Sequence, residues 1–199
     1  NRELAGKTLG IFGLGRIGKA LAQRAVALGV KVQYFDVVRQ SEAEKEWGLK
    51  YLFPEELLSS SDIISYHLPK TSFTHHLINR NSLRKMRPDA LLINSSRGDI
   101  QDENAIVEAL NSGQISGAGL DVFEVEPLPE NSPLRKLENV VLTPHSAPDN
   151  ESLILAVRNA LDNLLRVSNG NEPQSIAVDH EEVTRQFLER FPEVKLTAS

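Results

Sequence analysis

Thr8-Leu-Gly-Ile-Phe-Gly13-Leu-Gly15-Arg-Ile-Gly18 is the stretch on which the fold turns. The apolar run 9–12 has the length and continuity of a strand buried on both faces. Three glycines then lead into a segment carrying Ala20, Leu21, Ala25 and Leu28 at helical spacing. Gly13 allows a tight turn, Gly15 lets a pyrophosphate approach the backbone, and Gly18 lets a helix lie close on the strand. The start of that helix offers unpaired N–H groups to phosphate. A second apolar run, Val32-Gln-Tyr-Phe, closes on Asp36, 18 residues past Gly18. That is near the ~20-residue spacing of an acid that holds the adenosine ribose. Strand before, helix after and acid at the next strand end together point to a dinucleotide.

Apolar runs recur outward from there, at 9–12, 32–35, 63–66, 90–93, 117–120 and 140–142. Continuous rather than alternating apolarity belongs to parallel strands covered on both faces. Six such runs with helical patterns between them predict an α/β fold, a doubly wound parallel sheet. Asp102 is placed to cap a helix that Asn111-Ser-Gly113 ends. The longest amphipathic pattern runs over 150–167, with Leu153, Ile154, Val157, Ala160, Leu161, Leu164 and Leu165 on one face. Three prolines in 126–133 mark an irregular loop. The sequence divides into a dinucleotide-binding domain at 1–170 and a polar C-terminal tail at 171–199. One short helix is expected in the tail, over 181–191.

In an open α/β sheet, ligands bind beyond the carboxyl ends of the strands. The residues that follow each run therefore outline the site. They are the glycine loop, Asp36, His67-Leu-Pro69-Lys-Thr, Asn94-Ser-Ser-Arg97-Gly98, Asp121 with Glu126, and Thr143-Pro-His145-Ser146. An arginine can grip a carboxylate through two parallel hydrogen bonds. A histidine titrates near neutrality and suits the proton transfer that accompanies hydride transfer. A neighbouring carboxylate would fix its tautomer and favour the imidazolium. Each has a plainer reading: Arg97 as a surface ion-pair partner, Glu126 as a solvated loop acid, His67 as a packed strand-end residue. His75 and His76 read as loop residues, and His180 falls in the tail.

Composition removes several classes. The chain has 199 residues, of which 40% are hydrophobic and 25% charged, as in ordinary globular proteins. A net charge of −5 without a basic cluster argues against nucleic acid as partner. No cysteine is present, so thiolate chemistry and zinc–thiolate sites are excluded. No metal-ligand spacing occurs, and no hydrolase elbow. No apolar run reaches the ~20 residues of a membrane span, and a cytoplasmic location is the expectation.

The motifs Gly-Leu-Gly-Arg-Ile-Gly, His67-Leu-Pro-Lys-Thr, Leu92-Ile-Asn-Ser-Ser-Arg97-Gly, Gly119-Leu-Asp-Val-Phe-Glu-Val-Glu126-Pro and Thr143-Pro-His145 have a family in common. The chain resembles, over about residues 4–170, the cofactor-binding domain of the NAD-dependent D-2-hydroxyacid dehydrogenases. The resemblance implies a Rossmann-type domain and hydride transfer between NAD(H) and a small D-2-hydroxy acid or its 2-oxo acid. It implies that Arg97 holds the substrate carboxylate, that His145 is the acid/base and that Glu126 pairs with it. It implies cofactor contacts at Gly13, Gly15, Arg16, Ile17, Gly18, Asp36, Leu68, Pro69, Ser95, Ser96, Asp121 and Ser146, with Asp121 on the nicotinamide carboxamide. It also implies a homodimer. Formate dehydrogenases share the scaffold but carry Gln where Glu126 stands, which disfavours formate.

Two departures accompany the resemblance. After the histidine the family carries small residues including glycine, whereas Ser146-Ala-Pro148-Asp149 stands here. The family's N-terminal substrate domain is missing, and the tail would return toward it. The expectation is that this chain binds NAD and, alone, turns over poorly. A second class of function stays open, an NAD(H)-sensing corepressor-like module on the same scaffold.

Overall fold

The computed structural model describes residues 3–146, 150–173 and 179–194, without the side chains at 150–153 and 156. The Ala147-Pro148-Asp149 departure lies outside the described residues.

Seven strands make one parallel sheet: β1 (Thr8–Phe12), β2 (Lys31–Phe35), β3 (Lys50–Tyr51), β4 (Ile63–Tyr66), β5 (Leu91–Asn94), β6 (Gly117–Leu120) and β7 (Val140–Leu142). Their order is β3-β2-β1-β4-β5-β6-β7. The order reverses between β1 and β4, the switch point at which such sheets open a crevice. The six apolar runs are six of these strands. β3 is the addition, two residues too short and too polar to register as a run.

Successive side chains along a strand point to opposite faces, and both faces are filled. Ile11, Val32 and Tyr34 pack with Ala22 and Ala25 of α1 (Arg16–Ala27) on one side. Phe12, Phe35, Ile64, Tyr66 and Leu92 join Leu57 of α3 (Pro54–Ser60), Leu83 of α4 (Arg80–Lys85) and Ile106 of α5 (Glu103–Asn111) on the other. Helix α2 (Ser41–Trp47) leads into β3. The Asp102 carboxylate accepts the Ala105 N–H at 3.0 Å, the cap its position foretold.

The described parts of 1–144 and 180–199 form one unit, and His145–Asp179 another. The second unit is built on α6 (Asn150–Ser168). There Ile154, Val157, Leu161, Leu164 and Leu165 are each more than half exposed. The tail does not stand apart as a polar appendage. Its helix α7 (His180–Arg190) buries Phe187 against Phe35, ring centroids 5.7 Å apart. Phe191 follows, packed on Phe187 and Phe53. Burying one such ring stabilises by about 1.5–3 kcal/mol, enough to dock a helix that could build no core by itself.

Among the described residues, no helix is long and apolar enough to cross a membrane, and no group of three His, Asp or Glu side chains could hold a metal ion.

Candidate active site

The glycine loop shows why each glycine stands where it does. Gly13 has φ +91°, and a Cβ there would lie 2.5 Å from the His67 carbonyl oxygen. A Cβ on Gly18 would overlap the Gly13 carbonyl oxygen, so the first turn of α1 can sit on the loop only without one. Gly15 is different: nothing lies within 4 Å of where its Cβ would be. Its outward side is open space at the start of a helix, with Arg16 and Ile17 exposed beside it. That opening fits a pyrophosphate.

Asp36 sits at the end of β2 and is tied to the loop. One carboxylate oxygen accepts the Leu14 N–H at 2.7 Å and the other the Val38 N–H at 2.9 Å. A carboxylate has about four acceptor positions, so capacity remains for ribose hydroxyls. Burial pushes this carboxyl above the usual carboxylate range, against the opposing pull of the Val38 and Leu14 amides and of His180. A buried acid with free acceptor capacity is suited to a neutral, hydroxyl-bearing ligand and opposed to a 2′-phosphate.

Beyond β4, His67 hydrogen-bonds Ser65 across 2.9 Å, and its burial lowers its pKa. Leu68 and Pro69 follow, half-buried, in a loop pinned by the Thr74 hydroxyl donating to the Pro69 carbonyl at 2.8 Å.

Beyond β5, the turn bearing Arg97 is held by a buried amide network that sequence reasoning missed. The Asn94 side-chain amide donates to the Arg97 carbonyl at 3.1 Å and to the Gln101 side-chain oxygen at 2.7 Å. Gln101, wholly buried, donates in turn to the Val122 carbonyl at 2.9 Å. The network thus joins the Arg97 turn to the loop carrying Asp121 and Glu126. Gly98 brings them closer still, because a Cβ on it would overlap the Phe123 carbonyl. The only hint in the sequence was a Gln between apolar Ile100 and a helix cap.

The expected residues fare unequally. Arg97 is exposed, with one guanidinium nitrogen on the Ser96 carbonyl at 2.5 Å. Ser95 is exposed, but Ser96 is buried and its hydroxyl donates to Asn94 at 2.9 Å. Ser96 shapes the turn, and its hydroxyl faces inward. Asp121 accepts the Thr143 hydroxyl in a short hydrogen bond and is held at the end of β6 by its N–H on the Asn94 carbonyl, 3.0 Å. Glu126 turns back on its own loop, where its carboxylate accepts the Phe123 N–H at 3.0 Å. His145 and Ser146 open the second unit, both exposed. His145 adopts φ +45°, a left-handed conformation that among described non-glycine residues only His76 shares. Such strain costs of order 1–3 kcal/mol and concentrates at functional positions.

Fold and site define a dinucleotide-binding α/β domain whose strand ends carry one arginine, Arg97, and three acids, Asp36, Asp121 and Glu126. Residues 1–147 match the family model described as D-isomer specific 2-hydroxyacid dehydrogenase, NAD binding domain, and the chain belongs to that family. A glyoxylate reductase of Korarchaeum cryptofilum is 45% identical over 175 residues, 87% of this chain and 53% of that protein. The NAD-complexed D-isomer specific 2-hydroxyacid dehydrogenase of Lactobacillus delbrueckii ssp. bulgaricus superposes with TM-score 0.81 at 35% identity, covering 89% of this chain and 58% of that one. The apo D-mandelate dehydrogenase of Rhodotorula graminis gives TM-score 0.83 at 34% identity, covering 89% and 53%. The chain spans about half the length of the curated relatives it matches.

Proposed function

We propose that this chain is the cofactor-binding half of an NAD-dependent oxidoreductase acting on a small D-2-hydroxy acid and its 2-oxo acid. The observation that carries the reading is the joining of the Arg97 turn to the Asp121–Glu126 loop, through Gln101 and Gly98, at the same sheet edge as the open glycine loop. Asp36 would hold the adenosine ribose, Gly15 with the start of α1 the pyrophosphate, and Asp121 the carboxamide. Bound there, NAD supplies or accepts the hydride at the substrate carbon. Arg97 orients the substrate by its carboxylate. His145 gives a proton to the carbonyl oxygen during reduction and takes it back from the hydroxyl during oxidation, with Glu126 assigned as its carboxylate partner. The relatives described above carry enzyme names, so the corepressor-like reading gains no support from them. The proposal extends to a homodimer, which the exposed apolar stripe of α6 supports and solution mass would report, and to a cytoplasmic enzyme.

Two measurements test the cofactor assignment. In the complete protein, Asp36→Ser raises the NADPH-to-NADH preference by at least about tenfold, since it removes a buried negative charge that repels a 2′-phosphate; an unchanged preference overturns the assignment. Acidification gives the second. The ionised Asp36 is the form that accepts from two ribose hydroxyls, and its pKa is raised. NADH affinity is therefore flat above that pKa and falls as pH drops through it, beginning at higher pH than an exposed aspartate would allow. Calorimetric titration of NADH against pH, with Asp36→Asn as the flat control, reads this directly.

A further inference from the structure

Helix α7 has no part in the site described above, yet it touches the end of β2, next to Asp36, and the loop that follows β4. Phe187 packs on Phe35, the residue immediately before Asp36. One turn and a half earlier, Glu181 grips Ser72, three residues past Pro69: the Ser72 N–H donates to one carboxylate oxygen at 2.6 Å and the Ser72 hydroxyl to the other at 2.7 Å. β2 and β4 flank β1 on its two sides, so one helix spans from the loop edge after β2 to the loop after β4.

An adenine ring needs two apolar walls at a fixed separation, and a ribose needs its acid at a fixed distance from them. Val38, half exposed beyond Asp36, and Leu68-Pro69 beyond β4 are apolar surfaces on the two sides. Neither loop alone sets the gap. Helix α7 ties the two sides together, by a buried ring on one and a two-point carboxylate clamp on the other. Thr184 and Phe187 of the helix are both buried. His180 lies near enough to Asp36 to act on its charge.

We propose that α7 is the outer wall of the adenosine subsite, and that the Glu181–Ser72 clamp sets the width of that subsite. The inference rests on the crevice being the NAD site. It makes Glu181 a positioning residue for the adenosine half of the dinucleotide alone.

The test is calorimetry on the complete protein with three probes: NADH, ADP-ribose, and reduced nicotinamide mononucleotide, which lacks the adenosine. Glu181→Ala removes two hydrogen bonds to a half-buried carboxylate and leaves the buried Phe187 anchor, so folding persists and circular dichroism checks it. The expected result is NADH and ADP-ribose affinities reduced by about 5-fold, the size of one net hydrogen-bond contribution. The mononucleotide affinity stays within twofold, and Glu181→Gln, which keeps an acceptor, recovers part of the loss. Unchanged ADP-ribose affinity in Glu181→Ala overturns the inference while leaving the NAD reading standing. Tighter ADP-ribose binding also overturns it, because the helix would then compete with the nucleotide for space. Absence of ADP-ribose and NADH binding in the unaltered protein overturns the NAD reading, and the inference with it.

Discussion

His145→Gln in the complete protein lowers kcat for 2-oxo acid reduction by about 10²–10⁴-fold, the range that loss of a positioned acid/base removes, while NADH affinity stays within about twofold. The first half follows from chemistry. Hydride arriving at the carbonyl carbon leaves charge on oxygen, and without a proton donor that charge must be met by water. The second half follows from place. Phosphate and ribose are assigned to Gly15 and Asp36, on loops after β1 and β2, and nothing in that assignment calls on His145. The left-handed backbone at His145, φ +45°, is of a kind that concentrates at functional positions, and His76 shares it without a role in the site. Gln is the apt replacement, able to hydrogen-bond and unable to carry the proton. Stopped-flow reduction with glyoxylate and larger 2-oxo acids, paired with NADH titration, checks both halves. A loss of kcat below tenfold would remove His145 from the reaction.

What the sequence disclosed, and what it hid, follows a physical line. Strands buried on both faces must be apolar throughout, so six of the seven announced themselves, whereas β3 is a two-residue pairing held by its neighbour β2. The motifs proposed to meet a ligand also stood out, because a glycine loop, a strand-end aspartate and a strand-end arginine are constrained by local geometry. Residues that act through partners distant in sequence did not. The position of Ser96 did not disclose that its hydroxyl donates to Asn94. Gln101 looks like a lead-in to α5, and its work is done on Asn94 and Val122. The tail looks too polar to pack, because the rings that receive Phe187 and Phe191 belong to Phe35 and Phe53, far back along the chain. A periodicity reading sees a helix face, never the surface waiting for it.

Gly98 is where that hidden coupling can be struck hardest. Gly98→Ala is expected to destabilise the protein by about 1–3 kcal/mol, the usual cost of overpacking, which for a chain of this size lowers Tm by roughly 2–4 °C per kcal/mol. The activity loss should be larger than that figure suggests. The added Cβ would overlap the Phe123 carbonyl carbon and oxygen and come within 2.9 Å of the Glu124 nitrogen. All three are backbone atoms, so no rotamer change relieves the clash and one of the two loops must move. Arg97 stands one residue away on the first loop. On the second, Glu126 is bonded to the Phe123 N–H itself. Either movement would shift Arg97 relative to Glu126, the residues proposed for the substrate carboxylate and for pairing with His145, and a displacement of about 1 Å can cost ~10²-fold in rate. ADP-ribose, bound at the other end of the crevice, should keep its affinity within about twofold, which distinguishes a misplaced catalytic edge from a collapsed domain. Parallel measurement of Tm, kcat/KM and ADP-ribose affinity makes the distinction. Wild-type kcat/KM in Gly98→Ala would show that the two loops need not touch for the site to work.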